Sequence, residues 1–320
     1  MLQIGRLKLL TPLILAPMSG ITSFPFRILN RQFGCECCFL EMLNARSFNY
    51  MSKRSLEIVK SYDGEKPLGV QLLGSEAYYI LKALDKLSGY GFDILDFNAA
   101  CPRPKITRRG EGASLLRTPV KLYNLLKSMV KESFVPVTVK IRLGWDSVSK
   151  AVDISLKLED SGIDAIFVHG RTQVQGYSGL VDYEQIKNIK DRIKIPLIAS
   201  GDIFTPKLAK KMFDETGCDG VLVARGALGN PWIFKDIQNF LSTGETSSRP
   251  EVEEIVRTIK MHLDLFINFY GEKVGVIKFR KFYIWYSRGF IKVKPLRLEV
   301  AGVNTKEEMI VLIEQLDRLA

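Results

Sequence analysis

Histidine is nearly absent from this chain: His169 and His262 are the only two in 320 residues. Zinc sites lean on histidines and on paired cysteines. Cys35, Cys37 and Cys38 make a C-x-C-C group with no distant second pair, so no metal site is expected. The five cysteines are an odd number scattered along the chain, which is a poor basis for a disulfide framework. With no signal peptide at the N-terminus they point to a reducing cytoplasm. No apolar run reaches the ~18 residues of a membrane span. Acidic residues are outnumbered, 35 against 46 Lys and Arg, for a net charge of +11. That balance favours a polyanionic partner.

What is present is enough apolar material for a large core: 46% hydrophobic residues over 320 positions. One large domain with a small appendix is the expected partition. Met1 to Leu10 alternates around Gly5 and reads as a short hairpin capping one end of the fold. Apolar strand candidates then recur at Leu13–Ala16, Cys38–Leu43, Leu68–Leu72, Ile94–Phe97, Val135–Ile141, Ala165–Val168, Pro196–Ala199 and Gly220–Val223. Helical periodicity separates most of them, at Ala77–Leu87, Pro119–Val130, Ser147–Ser161, Asp182–Asp191 and Thr205–Thr216. Strands that are apolar throughout and alternate with helices imply a parallel sheet buried on both faces. Eight such units predict a closed (β/α)8 TIM barrel; an open doubly wound sheet is the second choice.

A barrel puts its functional residues just after the strands. Those positions hold Pro17-Met18-Ser19, Asn44-Ala-Arg46, Gln71, Asn98 with Cys101, Lys140 with Arg142, His169 with Arg171, Ser200-Gly201-Asp202 and Ala224-Arg225-Gly226. Cys101 follows the apolar run and stands beside Pro102 and Pro104, in a stiff loop where a core thiol and a reactive thiol are both tenable. Glycines in the last two loops let backbone amides approach an anion, and Arg225 adds a charged fork. The ligand there is a phosphorylated substrate or a cofactor tail. Lys140 sits among apolar neighbours and needs an anionic or carbonyl-rich partner to offset desolvation. A flavin's pyrimidine edge meets that need, with Gln71 and His169 on the same rim.

The last barrel helix is expected at Pro231–Leu241, followed by a polar linker over 242–250. Glu251–Phe269, Gly275–Tyr286 and Lys306–Leu319 have helical periodicity and make a small all-helical C-terminal domain, 251–320. Between Lys273 and Arg297 eight basic residues meet no acidic one, and Tyr283, Trp285, Tyr286 and Phe290 are interleaved. A solvated helix face over core aromatics accounts for part of this run; a footprint for phosphate backbones accounts for the rest.

The combination Leu15-Ala-Pro-Met18 with Thr22, Asp96-Phe-Asn-Ala-Ala-Cys-Pro-Arg-Pro-Lys105, Gly110-Glu-Gly-Ala, Val139-Lys-Ile-Arg142, Val168-His-Gly-Arg-Thr172, Ser200-Gly-Asp202 and Ala224-Arg-Gly226 resembles the tRNA-dihydrouridine synthases. The resemblance runs from about residue 10 to 240 and more faintly through the tail. It implies an FMN-bearing barrel (1–241) joined to a tRNA-binding helical domain, reducing uridines of tRNA with electrons from NADPH. By that likeness Cys101 is the catalytic acid. Pro17, Met18, Gln71, Lys140 and His169 contact the flavin, and Ser200, Gly201, Asp202, Ala224, Arg225 and Gly226 grip its phosphate. Asn98, Arg171, Lys278, Arg280 and Lys281 serve the tRNA, and no obligate protein partner is implied. Hydride from the flavin N5 adds to C6 of uracil, and the Cys101 thiol, protonated near neutral pH, supplies the proton to C5. Two positions depart from the family pattern: Ala100 stands where a glycine is usual, and Phe282 where a histidine is common, which implies altered tRNA contacts. Three rivals share features of this reading: a dihydroorotate-type dehydrogenase of free pyrimidines, a folate- and flavin-dependent RNA uracil methyltransferase, and an RNA-binding protein that kept the fold without catalysis.

Overall fold

Successive residues of each barrel strand join two different apolar clusters, and this period of two sets the architecture. The computed structural model describes residues 1–317. Its strands are β1 (Leu2–Ile4), β2 (Leu7–Leu9), β3 (Leu13–Leu15), β4 (Cys37–Phe39), β5 (Leu43–Asn44), β6 (Leu68–Leu73), β7 (Ile94–Ala99), β8 (Val137–Arg142), β9 (Ala165–His169), β10 (Leu197–Ser200) and β11 (Gly220–Val223). β3, β4 and β6 to β11 form a parallel ring, closed by the pairing of β4 with β6, and β5 adds a short second pairing on β6. Inward residues Ile14, Ala16, Cys37, Phe39, Ile94, Ala165, Phe167, Ile198 and Leu222 fill the barrel, and Leu2, Ile4 and Leu9 of the β1–β2 hairpin plug its lower end. Gly220 lacks a side chain where a Cβ would lie 3.0 Å from Leu2 Cδ2, and Gly69 makes room for the Phe39 ring. Outward residues such as Leu13, Leu15, Leu95, Val139, Val168 and Val221 pack under the helices.

The helices are α1 (Phe24–Gln32), α2 (Ala45–Asn49), α3 (Lys53–Ile58), α4 (Ala77–Leu87), α5 (Pro104–Thr107), α6 (Pro119–Glu132), α7 (Ala151–Glu159), α8 (Tyr183–Lys190), α9 (Pro206–Thr216), α10 (Ile233–Thr243), α11 (Val252–Tyr270), α12 (Glu272–Tyr286), α13 (Lys294–Glu299) and α14 (Lys306–Asp317). The expected barrel is therefore found, with every one of the eight strands at its expected place. The second is broken: Leu40–Met42 leaves the ladder because the buried Glu41 carboxylate turns to accept the Gly20 amide. α7 starts four residues later than the periodicity suggested, and α1, α2, α3, α5 and α13 were not expected. Pro104, read as a breaker, instead opens α5 at its first position, where proline's missing N–H costs nothing. α10 carries Ser242 and Thr243 before Gly244 ends it in the left-handed region, φ 77°. The final helix is seen to Asp317; positions 318–319 of the expected Lys306–Leu319 lie outside the described residues.

The tail helices are not a separate globule. His262 of α11 lies in an aromatic cluster with Phe26 of α1 and with Phe266, Phe279, Phe282 and Tyr286, at ring separations of 4.9 to 5.9 Å. Phe282, the departure read as affecting tRNA contacts, is buried in this joint. Beside it, Arg27 of α1 is fully buried, paired with Glu65 at 2.5 Å and bonded to the carbonyls of Thr22 and Lys60. His262 Nδ1 meets Tyr286 Oη at 3.0 Å, and its Nε2 is buried with no partner.

Burial holds His262 neutral, its pKa pushed down from 6.5 to about 3. The unfolded chain binds a proton below pH 6.5 that the folded chain refuses until about pH 3. The joint's full stability is thus present above 6.5 and is lost as pH falls, by about 1.4 kcal/mol per unit. Replacing His262→Phe together with Tyr286→Phe, so that no hydroxyl is orphaned, should flatten this dependence. In denaturant melts at pH 6.5 and pH 5 the parent should lose about 2 kcal/mol more than the double variant.

Candidate active site

A cavity of about 330 Å3 opens at the C-terminal end of the ring, within the range of cofactor sites. Seven of the eight strands contribute a residue at or just past their C-terminal ends: Met18, Gln71, Asn98, Lys140, His169, Ser200 and Ala224 line it, together with Pro17, Cys101, Arg142, Tyr177, Gly201, Asp202, Arg225 and Gly226. The residues expected at one site are thus brought together, apart from Arg171 behind the wall, Asn44 and Arg46, which do not line the cavity, and the three on α12.

A buried hydrogen-bonded chain runs across three strands beneath this cavity. Thr138 Oγ1 donates to Asp96 Oδ1 at 2.8 Å, and Gln71 Nε2 donates to Asp96 Oδ2 at 2.6 Å. Because the Gln71 amide gives its N–H to a carboxylate, its Oε1 must face Asn98, whose Nδ2 donates to it at 2.7 Å. Asn98 Oδ1 then accepts from the amides of Ala100 at 3.1 Å and Cys101 at 2.9 Å. Asn98, expected to touch substrate, is spent on holding the Cys101 loop. The loop is held from the other side by the buried Arg142, which donates to the carbonyls of Ala100, Thr172 and Gly176 at 2.7 to 2.8 Å. Gly112, at φ +61°, lets the following turn approach: a Cβ there would sit 2.8 Å from the Cys101 carbonyl.

Charges in the cavity follow from this burial. Asp96 is pushed up to about 6 by desolvation, against its bonds from Gln71 and Thr138 and the nearby Lys140. Lys140 is pushed down to about 8 by desolvation and by Arg142, with Asp96 opposing. Its ammonium makes a long contact, 3.5 Å, to Ser200 Oγ, which also meets His169 Nδ1 at 3.3 Å. Desolvation, then the surrounding Lys140, Arg142, Arg171 and Arg225, drives His169 well below its ordinary value, so it is neutral. Its Nε2 is buried and has no partner. Burial raises the half-buried Cys101 thiol above its ordinary value, with Arg103 and Arg142 opposing, so near neutral pH it carries its proton.

The loops after β10 and β11 press together. A Cβ on Gly226 would meet the Ile203 carbonyl at 2.0 Å, so only glycine fits. Asp202, in the left-handed region at φ 50°, receives Arg225 Nη2 at 2.6 Å and is also paired with Arg171. Burial alone would raise this carboxyl, but the two guanidiniums hold it below the usual carboxylate range. Arg171 is otherwise used on the carbonyls of Ser178 and Gly179, tying down the loop that carries Tyr177. The Tyr177 ring lies over Arg142 and Arg225, and its edge meets His169. The loop after β3 is fixed by Thr22, whose Oγ1 accepts the Met18 amide at 3.0 Å, and by Glu41 and Lys281, which take the Gly20 amide and carbonyl.

On α12, Lys278 pairs with Glu57 at 3.5 Å, and Arg280 donates to the Val303 carbonyl at 2.8 Å and to Asn304 Oδ1 at 3.0 Å. With Lys281 on Gly20, all three expected tRNA contacts already have partners within the chain. Asp96 and Thr138 were missed as site residues although parity reveals them: each is two residues from a neighbour that was expected at the site. Tyr177 and Glu41 lie in loops without periodicity and left no such signal.

Asn98→Ala should free the two amides that hold Cys101. Iodoacetamide should then label Cys101 faster than in the parent, while the four buried cysteines stay unlabelled; an unchanged rate would mean the loop is held by Arg142 alone.

Comparison with known proteins bears on what this site belongs to. The sequence model of the family described as Dihydrouridine synthase (Dus) matches residues 14–319. A probable tRNA-dihydrouridine synthase of Rickettsia bellii (strain RML369-C) is 38% identical over 306 residues, 95% of this chain and 94% of that protein. The tRNA-dihydrouridine synthase B of Pseudomonas putida is 37% identical over 286 residues, 89% of this chain and 85% of that one. Among solved structures, the old yellow enzyme homologue of Zymomonas mobilis superposes with a TM-score of 0.54 at 14% identity, covering 79% of this chain and 94% of that one. That likeness concerns the barrel alone. The chain is a member of the dihydrouridine synthase family.

Proposed function

We propose that this protein reduces selected uridines of tRNA to 5,6-dihydrouridine with FMN as its cofactor, NADPH as the electron donor and Cys101 as the proton donor. The observation that carries the reading is a protonated thiol held rigidly at the edge of a cavity whose floor is a half-buried lysine and a neutral histidine with an unpartnered Nε2. These features suit FMN. Lys140 offers a cation where the pyrimidine edge becomes anionic on reduction, and His169 Nε2 has a hydrogen bond left to make. Met18 and Pro17 supply an apolar wall. Ser200, Gly201, Ala224, Arg225 and Gly226 would hold the phosphate, Arg225 reaching it from its place on Asp202.

When bound, FMN supplies the hydride for C6 of the uracil. The residues of this chain do the rest. Asn98 and Arg142 fix where the Cys101 Sγ proton is presented, and C5 takes it. The low-dielectric cavity keeps the thiol protonated, which is why a cysteine serves as an acid here. Arg171 and Asp202 position the Tyr177 loop and Arg225. The target base must leave the RNA stack to enter. We assign catalysis to residues 1–241, a linker role to 242–250 and tRNA holding to 251–320, with the protein acting in the cytoplasm.

Cys101→Ala should keep its yellow colour and its oxidation of NADPH but lose most dihydrouridine formation, read as the ~2 Da gain that reduction adds to uridine. Near-normal yield would remove Cys101 from the acid role. Because burial raises the thiol, the parent's yield should fall only as pH climbs past the ordinary thiol value, since deprotonation there removes the acid.

Arg225→Ala removes a charge-assisted contact worth ~1.5–3 kcal/mol, so FMN affinity should drop by about one to two orders of magnitude. Full retention of FMN through dialysis would place the phosphate elsewhere.

A further inference from the structure

α2 follows β5 directly and α4 follows β6, so their first turns lie on the rim of the cavity, where the strands end. Tyr78, in the first turn of α4, is 60% exposed, and Tyr50, which caps the far end of the short α2, is 71% exposed. Tyr79 joins them: its ring stands 5.2 Å from that of Tyr78 at 75°, and Tyr50 lies near enough to its hydroxyl to raise it above the ordinary phenol value. Tyr79 packs against the barrel core, but packing does not account for the exposed Tyr50 and Tyr78 beside it. Cations flank them, with the Arg46 guanidinium 5.3 Å from the Tyr79 ring and the Lys82 ammonium 4.6 Å from the Tyr78 ring. Glu76 is the acidic group facing Tyr79, so the patch keeps a positive balance. None of these residues lines the cavity.

The patch continues toward the tail. Arg54 of α3 reaches Glu41 at 3.4 Å, the carboxylate that also holds Gly20. One turn further along α3, Glu57 is paired with Lys278 of α12. A strip of paired charges therefore links the tail helices to α3, and Arg46 and Lys82 supply the cations beside the exposed tyrosines. Since Lys278, Arg280 and Lys281 are partly consumed within the chain, an RNA held by this protein needs contacts besides theirs.

We propose that this patch is a second RNA-contact surface, in which Tyr50 and Tyr78 stack an unpaired base of the substrate outside the cavity while Arg46 and Lys82 neutralise the flanking phosphates. The proposal rests on tRNA being the substrate and adds a contact that reading does not contain. Aromatic faces take any base, and adjacent cations take the backbone, which is the pattern of single-stranded RNA recognition. An arrangement of this kind suits a loop of a folded RNA and has nothing to offer a blunt duplex.

The test compares the flavin-loaded full chain with two double variants, Tyr50→Ser/Tyr78→Ser and Arg46→Gln/Lys82→Gln, using an unmodified tRNA transcript and a blunt RNA duplex over a range of salt. Circular dichroism and flavin content establish that each variant is folded. The tyrosine variant should bind tRNA between about 5-fold and about 100-fold more weakly at every salt concentration, with no change on the duplex. The Arg46/Lys82 variant should lower the slope of log K against log salt by about 0.7 to 0.9 for each phosphate that is no longer neutralised. Unchanged tRNA affinity in the tyrosine variant overturns the proposal, as it would if the patch served a protein partner. An equal loss on tRNA and duplex also overturns it, because no unpaired base is then being stacked, and so does an unchanged salt slope in the second variant. If the parent itself fails to bind tRNA, the proposed substrate falls as well; if the parent binds and the variants bind equally, this surface alone falls.

Discussion

A single buried carboxylate sets the polarity of the whole site. Asp96 lies inside the barrel with no exposed surface and can act toward Gln71 and Thr138 as an acceptor. Side-chain amides have a donor end and an acceptor end, so one fixed acceptor orders the whole sequence: Gln71 must give its N–H downward, Asn98 must give its N–H to Gln71, and the Asn98 oxygen is left for the loop amides. The thiol's position is thereby decided by groups on three strands, none of which touches the sulfur. The cost is visible in the carboxyl itself, which burial pushes up to about 6 even with two bonds and a lysine opposing. Local polar satisfaction has been placed ahead of electrostatic ease.

The same trade recurs at the joint between barrel and tail. His262 gives up its charge to sit among Phe26, Phe266, Phe279 and Phe282, and every nitrogen of the buried Arg27 guanidinium is bonded, to Glu65 or to a carbonyl. The tail is therefore attached by a dry aromatic core together with polar bonds reaching up to the rim, Lys281 to Gly20 and Lys278 to Glu57. The sequence divided the basic run between a solvated face over core aromatics and a phosphate footprint, but net charge along a sequence does not tell which cations are spent inside the chain.

The barrel was legible because parallel strands bury both faces and stand out as apolar runs. Within each strand the parity was legible too: Lys140 two residues after Thr138, and His169 two after Phe167, had to point inward. What escaped was set by long-range contacts. Glu41 interrupts a strand for a bond to Gly20, which is twenty-one positions earlier. α1 has Pro25 in its first turn, among aromatics that pack on the tail, a partner more than two hundred residues distant. Arg171 and Asn98 have the right chemistry for substrate and are close to it in sequence pattern, yet groups within the chain have already claimed their hydrogen bonds. No local pattern separates a side chain facing a cavity from one bracing its wall.

The hairpin that plugs the barrel has a kinetic meaning. With Leu2, Ile4 and Leu9 stopping one end and the Phe39 and Phe167 rings meeting edge to face in the same core, the barrel is closed from below, and the doorway of the cavity is at the C-terminal end of the ring. The electron donor and the target base of the proposed reaction must both use it. They have to take turns, so the enzyme is charged in one visit and discharged in another, and an RNA that lingers at the doorway holds back the next charge.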